Sequence, residues 1–250
     1  MRLDVYLVEK GFFKSRTKAQ TAIVDEAVLV NGKVVTKANF EILDEPTIEI
    51  IKESCPYVSR GGVKLEFAIK EFFLDFQDKI ILDIGASTGG FTDCALQHGA
   101  KEVYAVDVGT NQLDPKLKLD ARVISYEQTN ILDVPSFPVE FDYIVMDVSF
   151  VTIEHILPAI QKFLKEEAIF ICLIKPQYEV GKRYLKNGIV KDRSLHIKVL
   201  EQVIQALHEY GMGIVKLISS PILGGSGNKE FLACIKKNVE TRVNYIEVCK

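Results

Sequence analysis

The sequence predicts a doubly wound α/β sheet preceded by a small α+β domain. Three observations carry this. From Lys79 onward, apolar runs of four to six residues alternate with amphipathic stretches of helical period, the pattern of a parallel sheet covered on both faces. Residues 1–50 instead fit two helices and a few short strands into a length too small for a catalytic domain. Between them, 51–59 reads as connecting chain, because Pro56 disfavours helix. The expected division is a first domain over 1–53, a linker over 54–59 and a second domain over 60–250.

Each element has its own signal. Leu3, Leu7 and Val8 form an apolar stripe at helical spacing that Gly11 can end. Ser15 can cap a helix over about Arg16–Glu26, with Ala19, Ala22, Ile23 and Ala27 on its apolar side. Asn31-Gly32 between two β-branched runs is a strong hairpin signal, and another strand is expected near Pro46–Ile51. Ser59 can cap a helix over about Gly62–Phe73. Strands are expected at Ile80–Ile84, Glu102–Val106, Arg122–Ser125, Tyr143–Asp147, Ile169–Ile174, Ile214–Ile218 and Phe231–Lys236. A helix near Thr152–Leu164 contains Pro158, which can kink or restart it. Another helix follows Ser194, with Gly211 and Gly213 at its end.

Composition excludes several classes. The chain has 250 residues, 48% apolar and 26% charged, ordinary for a globular protein. Its longest apolar run is Ala168–Ile174, too short for a membrane span. Asp4, Glu9 and Lys10 interrupt any signal-peptide core. Five cysteines without CxxC spacing and four histidines without HxxxH spacing argue against a disulfide framework or a zinc site. The expectation is a cytoplasmic protein with no metal and no membrane partner. Net charge is −3, but segments 10–18, 60–70 and 175–193 carry +4, +2 and +4, leaving −13 on the rest. That asymmetry fits a basic face for nucleic acid, and equally a set of unrelated solvated lysines.

The informative stretch is Asp83-Ile84-Gly85-Ala86-Ser87-Thr88-Gly89-Gly90-Phe91-Thr92. A buried strand ends in an acid, a glycine turn follows, and a helix opens. A dinucleotide site would use GxGxxG to hold a pyrophosphate. Here the spacing is GxxxGG and an acid precedes it, which suits a ligand with a cationic part and no phosphate. S-adenosylmethionine is such a ligand. Asp107 ends the next strand, where a carboxylate can accept from both ribose hydroxyls of an adenosine. Asp147 and Lys175 end two further strands and should share one rim; as a lone pair they suit a salt bridge as well as catalysis. Residues 176–193 form a long basic segment, and 221–230 a Gly-rich loop ending in Glu230.

Ser59-Arg60-Gly61-Gly62-Val63-Lys64-Leu65, the Asp83–Thr92 stretch, Lys175-Pro176-Gln177-Tyr178-Glu179-Val180-Gly181-Lys182 and Ser226-Gly227-Asn228-Lys229-Glu230-Phe231 together resemble the TlyA family. These are S4-domain ribosomal RNA 2′-O-methyltransferases related to the FtsJ/RrmJ-like enzymes, many of them named haemolysins. The resemblance runs from Arg2 to about Cys234, and residues 2–50 resemble the S4 RNA-binding module. It implies a Rossmann-like S-adenosylmethionine methyltransferase sheet behind a small S4-like domain.

The resemblance also implies a Lys-Asp-Lys-Glu tetrad, carried over motif by motif to Lys64, Asp147, Lys175 and Glu230. The cofactor residues would be Asp83, Gly85, Ala86, Ser87, Thr88, Gly89, Gly90, Phe91, Asp107, Asn130 and Asp147. The RNA contacts would be Arg2, Lys10, Lys14, Arg16, Lys18, Arg60, Lys182 and Arg183. Lys64 and Lys175 facing one another would repel, which favours one neutral amine as a base; Lys175, on a strand end, is the better placed. Short ends in this family go with the large ribosomal subunit. Three rivals stand beside this reading: a noncatalytic RNA-binding or ribosome-assembly protein, a membrane-active haemolysin, and an oxidoreductase. The failure of GxGxxG counts against the last.

Overall fold

The computed structural model describes residues 1–24, 27–51, 55–224 and 226–250. The chain divides into two compact units, Met1–Ser59 and Arg60–Lys250. In the first, α1 (Leu3–Glu9) and α2 (Arg16–Val24) pack with β1 (Val28–Val30), β2 (Lys33–Val34) and β3 (Ile48–Ile50). The strands form an antiparallel sheet of order β2-β1-β3. Asn31 (φ 50°) and Gly32 (φ 73°) are both left-handed, as a two-residue hairpin loop requires. Leu3, Leu7, Ile23 and Val28 are wholly buried and make the core. The Ser15 hydroxyl accepts the N–H of Lys18 at 3.3 Å, one of the amides that a helix start leaves free. Asp25 and Glu26, the expected end of α2, lie outside the described residues, as does Ser54 of the expected linker.

The second unit opens with α3 (Gly61–Phe72) and continues through β4 (Ile80–Ile84), α4 (Gly90–Gln97), β5 (Glu102–Val106), α5 (Pro115–Lys118), β6 (Val123–Tyr126) and β7 (Phe141–Met146). Then come α6 (Ile153–Phe163), β8 (Leu164–Ile174), α7 (Pro176–Glu179), α8 (Arg193–Glu209), β9 (Met212–Ser219), β10 (Phe231–Lys237) and α9 (Tyr245–Val248). The seven strands lie in the order β6-β5-β4-β7-β8-β10-β9. β4 to β8 are parallel, while β10 runs antiparallel to both its neighbours. The order reverses between β4 and β7, so their C-terminal ends flank the crevice where sheets of this type bind ligands.

Side chains of the central strands alternate between two faces, both of them buried. Leu82 and Ile84 join a core with Ile156, Leu157 and Ile160 of α6 and Val199, Leu200 and Val203 of α8. Asp83 points to the other face, where Thr92 of α4 meets it. The solvent side of α6 carries Pro158. The helix runs through it, because the carbonyl that loses its intrahelical donor there can turn to water.

Several expectations need correction. Arg60, not Ser59, is the N-cap of α3. Asp192 caps α8 by accepting the N–H of Ser194, so Ser194 lies inside the helix. Gly211 ends α8 with φ 68°, but Gly213 belongs to β9, where the Val239 carbonyl approaches too closely for any Cβ. β8 starts at Leu164, five residues before the expected start at Ile169. The long loop expected over residues 176–193 is broken up by short elements. These are α7, a 3-10 turn at Lys182–Tyr184 and a tight turn closed by Lys186 and Ile189.

Candidate active site

The rim at the reversal point has two halves. The first is built from backbone. β4 ends at Ile84, and Gly85 (φ 80°) turns the chain so that its N–H and that of Ala86 reach the Val106 carbonyl. A Cβ on Gly85 would sit 2.9 Å from the Asp147 carbonyl oxygen, and φ here lies where side chains are disfavoured. Ser87 is left-handed too, at φ 49°, local strain of the kind that gathers at functional sites. Gly89 (φ 93°) caps α4, where a Cβ would strike Leu117. Ala86, Gly90 and Phe91 are buried in the turn and the helix start, and Thr88 is exposed.

Three polar side chains serve this half. Asp83 is fully buried; one oxygen accepts the Thr92 hydroxyl at 2.6 Å, while Oδ1 has no hydrogen-bond partner. Burial pushes its carboxyl up to about 7, opposed by the Thr92 hydrogen bond and reinforced by the nearby Asp147 and Asp107. Asp107, past the end of β5, accepts N–H bonds from Ser87 (2.8 Å) and Gly109 (2.7 Å). A carboxylate oxygen takes two donors, so each keeps room for a ribose hydroxyl. The Asn130 side chain accepts the N–H of Leu132 at 3.1 Å. A cleft of about 490 Å³ opens here, lined by Gly85, Ser87, Asp107, Asn130, Asp147 and Phe150 among others. That volume suits a nucleoside-sized ligand. An orphaned buried carboxylate oxygen behind a glycine cradle fits the cationic methionine part of S-adenosylmethionine.

The second half is built from side chains. Lys175 Nζ lies 2.6 Å from Asp147 Oδ1 and donates to the Ser149 hydroxyl at 2.8 Å. Lys64, in the first turn of α3, donates to Glu230 Oε2 at 2.6 Å. Both members of that second pair are buried, at 8% and 3% exposure, so it is a charge-assisted bond shielded from water. Strand register assembles the group. Phe231 pairs with Ile174 in antiparallel register, which sets Glu230 across from Lys175. The two lysines are therefore not arranged as a bare repelling couple; each has its own carboxylate. Glu179, the last residue of α7, accepts the N–H of Ile153 at 2.9 Å. Burial pushes its carboxyl up to about 7 as well, opposed by that N–H and reinforced by Glu154.

Sequence reasoning passed over Thr92, Ser149 and Gln177. Thr92 had a signal, since it opens α4 nine residues after Asp83. The other two have meaning only once the strand ends are placed.

The predicted RNA contacts sit in both units. Arg2 and Arg16 converge on Asp4, at 2.9 Å and 3.0 Å, and Gln20 joins them. Asp4 is wholly buried, and the Arg2 guanidinium holds its carboxyl well below the usual range. Lys10 pairs with Glu45 at 3.1 Å, while Lys14 and Lys18 are exposed. In the second unit Arg60 donates to the Leu223 carbonyl, Lys182 is exposed, and Arg183 stacks on Tyr184.

A seven-stranded sheet of this order, with acids and glycines at its reversal point, is the fold of the S-adenosylmethionine-dependent methyltransferases. Residues 57–237 match the FtsJ-like methyltransferase family and residues 1–45 the S4 domain. The chain is 46% identical to Hemolysin A of Brachyspira hyodysenteriae, over 93% of this chain and 98% of that protein. It is 34% identical to the 16S/23S rRNA (cytidine-2′-O)-methyltransferase TlyA of Mycobacterium tuberculosis, over 96% and 91%. A solved structure from Streptococcus thermophilus, described as a hemolysin, aligns at TM-score 0.78 with 42% identity, covering 100% of this chain and 94% of that one. The chain belongs to the FtsJ-like methyltransferase family and carries an S4 domain ahead of the catalytic fold. Among the described residues no helix is long and apolar enough to cross a membrane, and no group of side chains is arranged to hold a metal.

Proposed function

We propose that this protein methylates the ribose 2′-hydroxyl of a cytidine in ribosomal RNA, with S-adenosylmethionine as donor. The observation that carries this is the pair of lysine–carboxylate couples, Lys64–Glu230 and Lys175–Asp147, beside the glycine turn. A ribose hydroxyl is a poor nucleophile until its proton leaves, so a basic group must stand at the rim. Lys175 takes that proton on Nζ, with Asp147 and Ser149 orienting the amine. Lys64, held by Glu230, orients the ribose and its phosphate. The bound cofactor supplies an electrophilic methyl on a sulfonium. Asp83, the turn 85–91, Asp107 and Asn130 hold it in place, and Asp147 borders the transferred group.

The S4 unit supplies affinity. Arg2, Lys10, Lys14, Arg16 and Lys18 reach phosphates, which position RNA without reading its sequence. Arg60, Lys182 and Arg183 extend the basic surface of the catalytic unit. Both ribosomal subunits are acceptors to assay: the M. tuberculosis relative is named for 16S and 23S rRNA, and a Campylobacter jejuni relative for 23S rRNA alone.

The test is transfer of labelled methyl from S-adenosylmethionine to each unmodified ribosomal subunit, with the product mapped by the alkali resistance of its linkage. Label in rRNA that is lost with Lys175→Ala supports the reading. Cofactor binding without label in either subunit would overturn the rRNA assignment. Absence of cofactor binding would favour a noncatalytic RNA-binding protein.

A further inference from the structure

Gln177 lies two residues past Lys175, in α7, on the arm formed by the end of β8 and that short helix. Its Nε2 donates to Glu230 Oε1 at 3.1 Å, while Lys64 Nζ holds Oε2 at 2.6 Å. Each oxygen of Glu230 thus has its own donor, one neutral and one charged. Gly224 closes the remaining side, since a Cβ there would lie 2.3 Å from Oε1. The carbonyl oxygen of Gln177 is buried and has no hydrogen-bond partner. Burying a bare acceptor is unfavourable, but turning the amide over would set that oxygen against a carboxylate. The amide keeps the orientation that Glu230 requires, and its orphaned carbonyl is the consequence.

We propose that Gln177 is a positioning residue that locks Glu230, and through it Lys64, to the arm carrying Lys175. The inference rests on the methyl-transfer reading above. A carboxylate held at one oxygen can swing about that bond; a second donor fixes its plane. With Gln177 in place, the spacing between Lys64 and the base at Lys175 is set by one short turn rather than by two independent side chains. Small errors in the placement of reacting groups carry large rate penalties. A neutral donor does this without adding a third cation to a group of two lysines and two acids.

The experiment compares the full-length protein with Gln177→Met and Gln177→Glu on rRNA, by single-turnover methyl transfer across pH and by cofactor titration. Cofactor affinity should stay within about two-fold in both, because the amide serves the acceptor half only. Gln177→Met, which lacks the donor, should lose about 10- to 100-fold in rate, the worth of one hydrogen bond to a charged group. Gln177→Glu should be as slow at about pH 8, yet recover relative to the unaltered protein towards about pH 6, where its carboxyl takes a proton and can donate. The charged groups that bear on it are Glu230, which it contacts, Lys64 of α3 bound to the same carboxylate, Lys175 and Glu179 within two residues along the chain, and Asp147 paired with Lys175. They are common to all three proteins, so the rate ratio isolates position 177. Parallel pH profiles for the two variants, or a full rate with Met, would overturn the inference. An unaltered protein silent on both subunits would instead sink the functional reading on which it rests.

Discussion

In the proposed function the two halves of the rim have adjacent jobs, and the structure holds them by opposite means. The cofactor half is fixed by backbone: left-handed glycines, a strained Ser87, and Asp107 held by two N–H groups. The acceptor half is fixed by side-chain charge: Lys64 with Glu230, Lys175 with Asp147. Backbone geometry cannot rearrange without unfolding the turn. Ion pairs can exchange partners when a substrate brings new charge. The stiff half therefore suits a ligand that is the same in every turnover, and the exchangeable half suits a proton transfer.

Substitutions can break this contrast from either side. The largest effect is expected for Lys175→Ala, about 10²- to 10⁴-fold in the single-turnover rate, with cofactor affinity unchanged by titration. An unaltered rate would place the base elsewhere. Next is Glu230→Ala, which strands the buried Lys64 ammonium at a cost of about 3–5 kcal/mol, read by denaturant unfolding. Replacing Lys64 and Glu230 together with methionines should recover most of that loss. If the double variant is no more stable than the single one, the pair is not coupled.

Asp83 gives the matching test of the cofactor half. Its folded-state value of about 7 lies above the ordinary 3.8, so between those limits the folded protein keeps a proton that the unfolded chain has lost. The free protein should lose stability as pH rises through that window, and Asp83→Asn should flatten the slope, leaving the part due to Glu179. Cofactor affinity should run the other way, weakening below about pH 7 as the carboxylate proposed to hold the cofactor's cationic part is neutralised. A cofactor affinity independent of pH would remove Asp83 from that role.

Gly85→Ala should cost about 1–2 kcal/mol from the left-handed backbone alone. It should weaken cofactor binding more than it slows transfer at saturation; equal effects on both would deny the division of labour. The smallest change is expected for Ser149→Ala. It removes one bond to Lys175 worth about 0.5–1.5 kcal/mol, a few-fold drop in rate with no change in melting temperature. A loss as large as that of Lys175→Ala would make Ser149 a participant in the proton transfer.

Much of the second unit was legible locally. The strands at Ile80–Ile84 and Glu102–Val106 fall where the apolar runs put them, since a strand buried on both faces leaves no alternation to misread. Edges were less legible. β8 begins at Leu164, ahead of Lys165, Glu166 and Glu167, because Leu164 pairs with Phe141 before an irregularity, and regular pairing with β7 resumes only at Ile169. The antiparallel setting of β10 carries no local mark, since any apolar strand can run in either direction. Lys64 reads locally as a solvated lysine beside an apolar stripe; only its partner 166 positions away makes it a buried charge.

What the sequence determined by itself is whatever is encoded within a few residues: the Asn31-Gly32 hairpin, the glycine turn after Asp83, the alternation of strand and helix. Each depends on φ/ψ preferences and hydrophobic period, which are local. What only the tertiary structure decided is which side chains share a partner. Glu230 meets Lys64 and Gln177, the Lys175 amine meets Asp147 and Ser149, and one oxygen of Asp83 is left bare. Those outcomes follow from strand order and register, and these are set by the packing of the whole sheet.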